Sequence, residues 1–214
     1  MAPSINAFVV GVQNPKGGTG KTTIAVNLAR AAQLDGFSSL LIDTDPQGSA
    51  RDWRARSPEG YEGPRVQPAT NPRMLRAEVA RHTQEYEFAV LDGSARLKRM
   101  TGAVIDASDV LLIPVQPSAL DLWGAAEFIG DVVEAHEQGE VSAAFVASRR
   151  IVGTNLEEQI TGALDDFGLD VLRGTGQRVA YAQSIQEGQT VLDGYDGKAE
   201  KEVRTLLEEI GRLV

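Results

Sequence analysis

The stretch Asn14-Pro15-Lys16-Gly17-Gly18-Thr19-Gly20-Lys21-Thr22-Thr23 restricts this chain more than any other. An apolar run, Phe8-Val9-Val10-Gly11-Val12, precedes it. Residues 24–34 follow, with Ile24, Leu28, Ala31 and Ala32 at helical spacing. Strand, glycine-rich loop and helix in that order make a cradle for phosphate. Glycines let the backbone curl so that consecutive N–H groups converge on an anion, and the helix adds the positive end of its dipole. In such a loop Gly17, Gly18, Thr19, Gly20, Lys21, Thr22 and Thr23 bind the nucleotide. Lys21 reaches the β- and γ-phosphates, and the Thr22 hydroxyl lies on Mg²⁺. ATP and Mg²⁺ are the ligands expected. A plain glycine turn between a strand and a helix is the bland alternative, and the spacing disfavours it.

Further apolar runs stand at Ser39-Leu40-Leu41-Ile42, Phe88-Ala89-Val90-Leu91, Val110-Leu111-Leu112-Ile113 and residues 141–147, with a short one at Asp170-Val171-Leu172. Runs without alternation suit strands buried on both faces of a parallel sheet. Between them, helices are predicted over 24–34, 71–84, 120–136, 155–167 and 198–213, the second opened by Asn71 as cap and Pro72 in its first turn. Residues 57–70, rich in Pro and Gly, are expected to be irregular. The alternation predicts an α/β class, a mostly parallel twisted sheet flanked by helices on both faces. A length of 214 residues suits one domain over 1–214.

Three acids stand at or just beyond strand ends. Asp92 closes a run of the Walker B form and would bind Mg²⁺ through water. Asp43 follows the second strand directly, and Asp45 lies two residues on. Hydrolysis of a phosphoanhydride needs a group that aligns water with the γ-phosphate, and Asp45 is the candidate. The alternative is that Asp43 or Asp45 caps a turn before Pro46.

The loop departs from the common pattern. Pro15 stands where a glycine is usual, and an additional lysine, Lys16, precedes two glycines. This resembles the deviant Walker A loop of the ParA/MinD family of P-loop ATPases. The resemblance implies a dimer that sandwiches ATP, with Lys16 reaching the partner's nucleotide. Asp43-Thr44-Asp45-Pro46-Gln47 matches the family motif whose second acid orients the attacking water. Lys16, Lys21 and Asp45 are thus the catalytic candidates, and Thr22, Asp43 and Asp92 the metal-site candidates. Without the resemblance, Lys16 reads equally as a solvated loop lysine. The segments Gly48-Ser49-Ala50-Arg51-Asp52-Trp53, Gln177-Arg178-Val179-Ala180-Tyr181-Ala182-Gln183-Ser184-Ile185 and the proline-containing Ser108-Asp109-Val110-Leu111-Leu112-Ile113-Pro114-Val115-Gln116-Pro117-Ser118-Ala119-Leu120-Asp121 are similar to small ParA proteins of the ParF type. That subgroup implies a slow ATPase and a homodimer with ATP. It also implies non-specific double-stranded DNA of the nucleoid as a tether, in the cytoplasm. A ParB-like or other cargo-bound adaptor would stimulate hydrolysis, and the cargo would be a plasmid, a chromosome or a carboxysome-like assembly. No helix-turn-helix segment precedes the loop, so operator binding is not expected.

A net charge of −9 argues, taken alone, against nucleic acid as a partner. Basic residues nevertheless gather in the second half: Arg149, Arg150, Arg173, Arg178, Lys198, Lys201 and Arg204. In ParA-type proteins such residues hold DNA phosphates, which would make binding salt-sensitive. Interspersed Glu157, Glu158, Glu200 and Glu202 equally fit an ordinary solvated surface. The absence of Cys rules out disulfides and thiolate metal or iron–sulfur sites. The opening residues carry no export-signal pattern, and no run approaches the length of a membrane span. A MinD-like membrane switch is one rival. The last helix, however, mixes Glu202, Glu208 and Glu209 with Arg204 and Arg212 on its polar face, so its apolar side is expected to dock on the sheet and no membrane is expected. A metabolic P-loop enzyme is another, with no substrate pocket legible in the residues.

Overall fold

β1 (Phe8–Val12) lies in the interior of a seven-stranded parallel sheet, as a continuously apolar strand should. The computed structural model describes residues 5–95, 98–116, 125–151, 162, 164 and 166–214. The other strands are β2 (Ser39–Asp43), β3 (Arg65–Pro68), β4 (Phe88–Asp92), β5 (Val110–Val115), β6 (Ser142–Ala147) and β7 (Asp170–Leu172). Their order across the sheet is β3-β2-β4-β1-β5-β6-β7. Successive side chains enter opposite cores. Val9, Leu40, Ile42, Leu91, Leu111 and Phe145 face one core, and Val10, Val12, Leu41, Val90, Leu112 and Val146 the other.

The first core is closed by α3 (Leu75–His82), α4 (Lys98–Asp106) and α5 (Ala126–Glu137), through Leu75, Val79, Met100, Val104, Ile129 and Val132. The second is closed by α1 (Lys21–Leu34), α2 (Ser49–Ala55) and α7 (Gly197–Ile210), through Ile24, Leu28, Trp53, Leu206 and Ile210. A third layer, made of α6 (Val179–Gln186), a 3₁₀ turn at Val191–Asp193 and the other apolar positions of α7, packs over Ala31 of α1. The apolar side of α7 is thereby buried within the protein, through Ala199, Val203, Leu206 and Ile210. Among the described residues, no helix is long and apolar enough to cross a membrane.

Several elements depart from the sequence expectation. The stretch read as irregular contains β3, whose register pairs Leu40 with Arg65 and Asp43 with Pro68. As an edge strand it is half-exposed and tolerates Pro68, so it carries no apolar signature. Asn71-Pro72 makes a turn instead of a helix start. The Asn71 Oδ1 accepts the Arg73 N–H at 3.1 Å, and the helix begins at Leu75. Helices α2, α4 and α6 were not anticipated; α2 spans only 7 residues, too few for periodicity to register. The last helix ends at Ile210, and its cap is Asp196, which accepts the N–H groups of Lys198 and Ala199. The fifth helix begins at Ala126, with Ala125 at its N-cap position; residues 120–124 of the expected 120–136 helix lie outside the described residues, as does most of the helix expected over 155–167.

Candidate active site

The carboxyl ends of β1, β2 and β4 meet at one edge of the sheet, with Val12 and Asp43 both in register with Asp92. The glycine loop begins where β1 ends. Its base is fixed by two amides. The Gln13 Nε2 donates to the Ser94 carbonyl at 3.0 Å and to the Thr101 hydroxyl at 2.8 Å, and the Asn14 Nδ2 donates to the Pro114 carbonyl at 2.8 Å. The Asn14 Oδ1 in turn accepts the Lys16 N–H at 2.8 Å. Gln116 reaches in from the end of β5 and donates to the Gly18 carbonyl at 2.6 Å. Gly20 has a φ of 91°, and a Cβ there would lie 2.7 Å from the Ser148 Oγ, so only glycine lets the loop turn into α1 against the end of β6. No side chain caps α1. Its first N–H groups, with the dipole behind them, are therefore directed at the loop.

Lys21 is 8% exposed and its Nζ donates to the Lys16 carbonyl at 2.9 Å. Burial pulls its pKa down, while the carboxylates of Asp92 and Asp45 oppose that shift. The Thr22 hydroxyl donates to Asp92 Oδ2 at 2.8 Å. Asp92 Oδ1 is buried and has no hydrogen-bond partner among the described residues. Burial pushes the Asp92 carboxyl up to about 7; Asp43 and Asp45 add to the rise, and the Thr22 hydroxyl and Lys21 restrain it. The Thr22 hydroxyl and the Asp92 carboxylate are hard oxygen groups of the kind Mg²⁺ takes, with Asp43 and Asp45 adding negative charge around them.

Asp43 is fully buried, and both of its oxygens are engaged. Oδ1 accepts the Asp45 N–H at 3.0 Å, and Oδ2 accepts the Arg51 N–H at 3.1 Å and its Nε at 3.3 Å. Asp45 is half-buried, and its Oδ1 accepts the Gln47 N–H at 2.9 Å. The turn-capping alternative for these two acids is thus present in the geometry, in both cases alongside an electrostatic influence on Lys21 or Asp92.

The seven basic candidates fall in two adjoining groups, joined where the Arg150 backbone pairs with Thr175 and Gln177 and where Arg173 meets Glu209 of α7. Arg149 and Arg150 follow β6, and Arg173 follows β7, on the same edge as the glycine loop. Arg178, Lys198, Lys201 and Arg204 lie in the α6–α7 layer. Among the described residues, Arg178 is held by Glu202 at 2.7 Å, Arg204 by Glu200 and Asp35 at 2.9 Å each, and Arg173 by Glu209 at 3.8 Å. Arg149, Lys198 and Lys201 are exposed, and Arg150 is half-buried. Proline-containing residues 117–121 lie outside the described residues. Sequence reasoning gave no role to Gln13, Gln116 or Arg51. A signal for Arg51 existed in its place four residues after the Pro-Gln pair, in a segment already singled out by resemblance.

Fold and site together define a P-loop protein that binds a nucleoside triphosphate. The sequence matches the CobQ/CobB/MinD/ParA nucleotide binding domain family over residues 10–191, and the chain belongs to that family. It is 36% identical over 213 residues to the maintenance of carboxysome distribution protein A of Gloeobacter kilaueensis, covering 95% of this chain and 94% of that one. It is 29% identical over 215 residues to the protein of the same name from Halothiobacillus neapolitanus, covering 97% and 98%. The structure of an ATP complex of a Cyanothece McdA variant matches with a TM-score of 0.75 at 16% identity, over 97% of this chain and 98% of the other, and shows the fold alone.

Proposed function

We propose that this protein is an ATPase that switches between monomer and ATP-bound dimer and uses the switch to position a cargo along nucleoid DNA. The observation that carries the reading is the Thr22 hydroxyl on Asp92 Oδ2, with Asp92 Oδ1 buried and unpartnered, beside the buried Lys21. In this reading the loop N–H groups of residues 17–23 bind the ATP phosphates, and Lys21 neutralises the β- and γ-oxygens. Thr22 and Asp92 hold Mg²⁺, with Asp43 behind them setting the local charge. Bound Mg²⁺ supplies charge neutralisation on the phosphate oxygens. Asp45 orients the attacking water. Lys16 of each chain contacts the nucleotide of the other, so the γ-phosphate joins the two and its loss releases them.

DNA is held through phosphates by the exposed Arg149, Lys198 and Lys201, ahead of the carboxylate-held Arg173, Arg178 and Arg204. Dimerisation doubles that set, which gives ATP control over affinity through avidity. An adaptor carried by the cargo stimulates hydrolysis. The names of the two relatives favour a carboxysome-like protein assembly as that cargo, ahead of a plasmid or chromosome. The burial of the apolar side of α7 weighs against a membrane tether.

Asp45→Ala tests the switch. The variant is expected to bind ATP, to stop turning it over and to remain dimeric in MgATP by light scattering. Lys16→Ala is expected to bind nucleotide and lose stimulated turnover. An Asp45→Ala chain that stays monomeric in MgATP, or that hydrolyses ATP at the wild-type rate, would overturn the reading.

A further inference from the structure

Arg51, in the first turn of α2, reaches back over the segment that carries Asp45. Its backbone N–H and its Nε both donate to Asp43 Oδ2, at 3.1 and 3.3 Å. Its Nη2 donates to the carbonyls of Asp45 and Pro46, at 3.2 and 3.3 Å. The other oxygen of Asp43 takes the Asp45 N–H at 3.0 Å, and the Gly48 N–H closes the turn on the Asp45 carbonyl at 2.9 Å. One planar guanidinium thus spans the first acid of the motif and the peptide groups on the C-terminal side of the second. A lysine ammonium cannot reproduce that spread of donors.

Room for the guanidinium is built into the turn. Gly48 has a φ of 76°, and a Cβ on it would lie 2.7 Å from the Arg51 Nη2 and 3.0 Å from its Cζ. A side chain at 48 would displace the fork. Asp45 keeps its own carboxylate for other use, with Oδ1 taking only the Gln47 N–H. Its negative charge is also felt at Lys21, across the mouth of the loop.

We propose that Arg51 is a positioning residue for ATP hydrolysis, holding the peptide groups around Asp45 so that its carboxylate meets the attacking water in line with the γ-phosphate. The inference rests on the reading of Asp45 given above. The hydrogen bonds of the Arg51 side chain all go to residues 43–46, outside the loop 14–23, so its removal should affect turnover without affecting nucleotide binding.

The test compares Arg51→Ala, Arg51→Lys, Asp45→Ala and Arg51→Ala/Asp45→Ala in single-turnover hydrolysis, ATP binding and dimer lifetime, each with MgATP and the full chain. A displacement near 1 Å costs about 100-fold in rate, so Arg51→Ala should lower kcat by about 10- to 100-fold. Its KM and ATP Kd should stay within about twofold of wild type, because the phosphate-binding loop is untouched. Arg51→Lys should fall between the two, and millimolar guanidinium should restore part of the turnover of Arg51→Ala. The double variant should be no slower than Asp45→Ala, since both act at one step. Arg51→Ala should also prolong the ATP-bound dimer, a readout independent of phosphate release.

Wild-type kcat in Arg51→Ala, with Asp45→Ala inactive, would overturn the proposal and leave the role of Asp45 standing. Weakened ATP binding and a lowered thermal midpoint in both Arg51 variants, with no response to guanidinium, would show a purely structural residue and overturn it too. Wild-type turnover in Asp45→Ala would instead remove the underlying reading, whatever the Arg51 variants do.

Discussion

Asp92 is costly to the fold, a cost that the proposed Mg²⁺ site would offset. A buried carboxylate oxygen without a donor destabilises by about 1–3 kcal/mol or more, and the neighbouring Asp43 and Asp45 deepen the penalty. Asp92→Asn keeps the shape and an acceptor for the Thr22 hydroxyl while removing the charge. The variant is expected to melt at a higher temperature than wild type without nucleotide, and to lose the additional rise that MgATP gives. Differential scanning fluorimetry checks both halves. An undiminished MgATP shift in Asp92→Asn would contradict the metal-site reading. Asp92 was legible from sequence because it closes an apolar strand. The role of Arg51 was not, because it depends on a side chain folding back over a tight turn, which its place after the Pro-Gln pair marks but does not reveal.

Short elements are held here by polar contacts as well as by apolar burial such as that of Trp53. Helix α2 is tied at its far end by the Trp53 Nε1, which donates to the Gln189 carbonyl at 2.8 Å, and Ser57 Oγ donates to the Gly188 carbonyl at 2.6 Å. Next to that contact Asp193 gathers the Tyr61 hydroxyl at 2.7 Å, the Thr190 N–H at 2.9 Å and hydroxyl at 2.8 Å, and the Arg30 guanidinium at 3.0 Å. Burial raises the Asp193 pKa, but these donors outweigh it and the net shift is downward. A carboxyl with a lowered folded pKa stabilises fully above its unfolded value and loses that stabilisation as pH falls through the folded one. Asp193→Asn should therefore cost about 1–3 kcal/mol near neutral pH, by denaturant titration, and its deficit should narrow below the ordinary carboxylate range. A deficit constant with pH would contradict the ionised clamp. The same polarity explains which elements escaped sequence reading. Strands β1, β2, β4, β5 and β6 announce themselves as apolar runs, whereas β3 lies half-exposed on the edge, and the Asn71 side chain makes a turn where a cap was expected.

At the scale of the molecule, the sheet gathers the loop, the acids and the ends of β6 and β7 on one edge, while α6 and α7 form a separate layer over α1. Helix α2 touches both, through Arg51 at the acids and Trp53 at residue 189. Net charge is −9, so any affinity for DNA must come from a local set of cations, which the proposed dimer would double. The most direct measurement is binding to random-sequence duplex DNA with MgATP, with MgADP and without nucleotide, across a salt series, for the wild type and for Lys198→Ala/Lys201→Ala. Binding should require MgATP and weaken steeply with salt, and the double substitution should reduce the log–log slope by about 3–4 for a dimer that loses about four phosphate contacts. Binding that is absent with MgATP, or equal in all three nucleotide states, would contradict the ATP-controlled DNA tether.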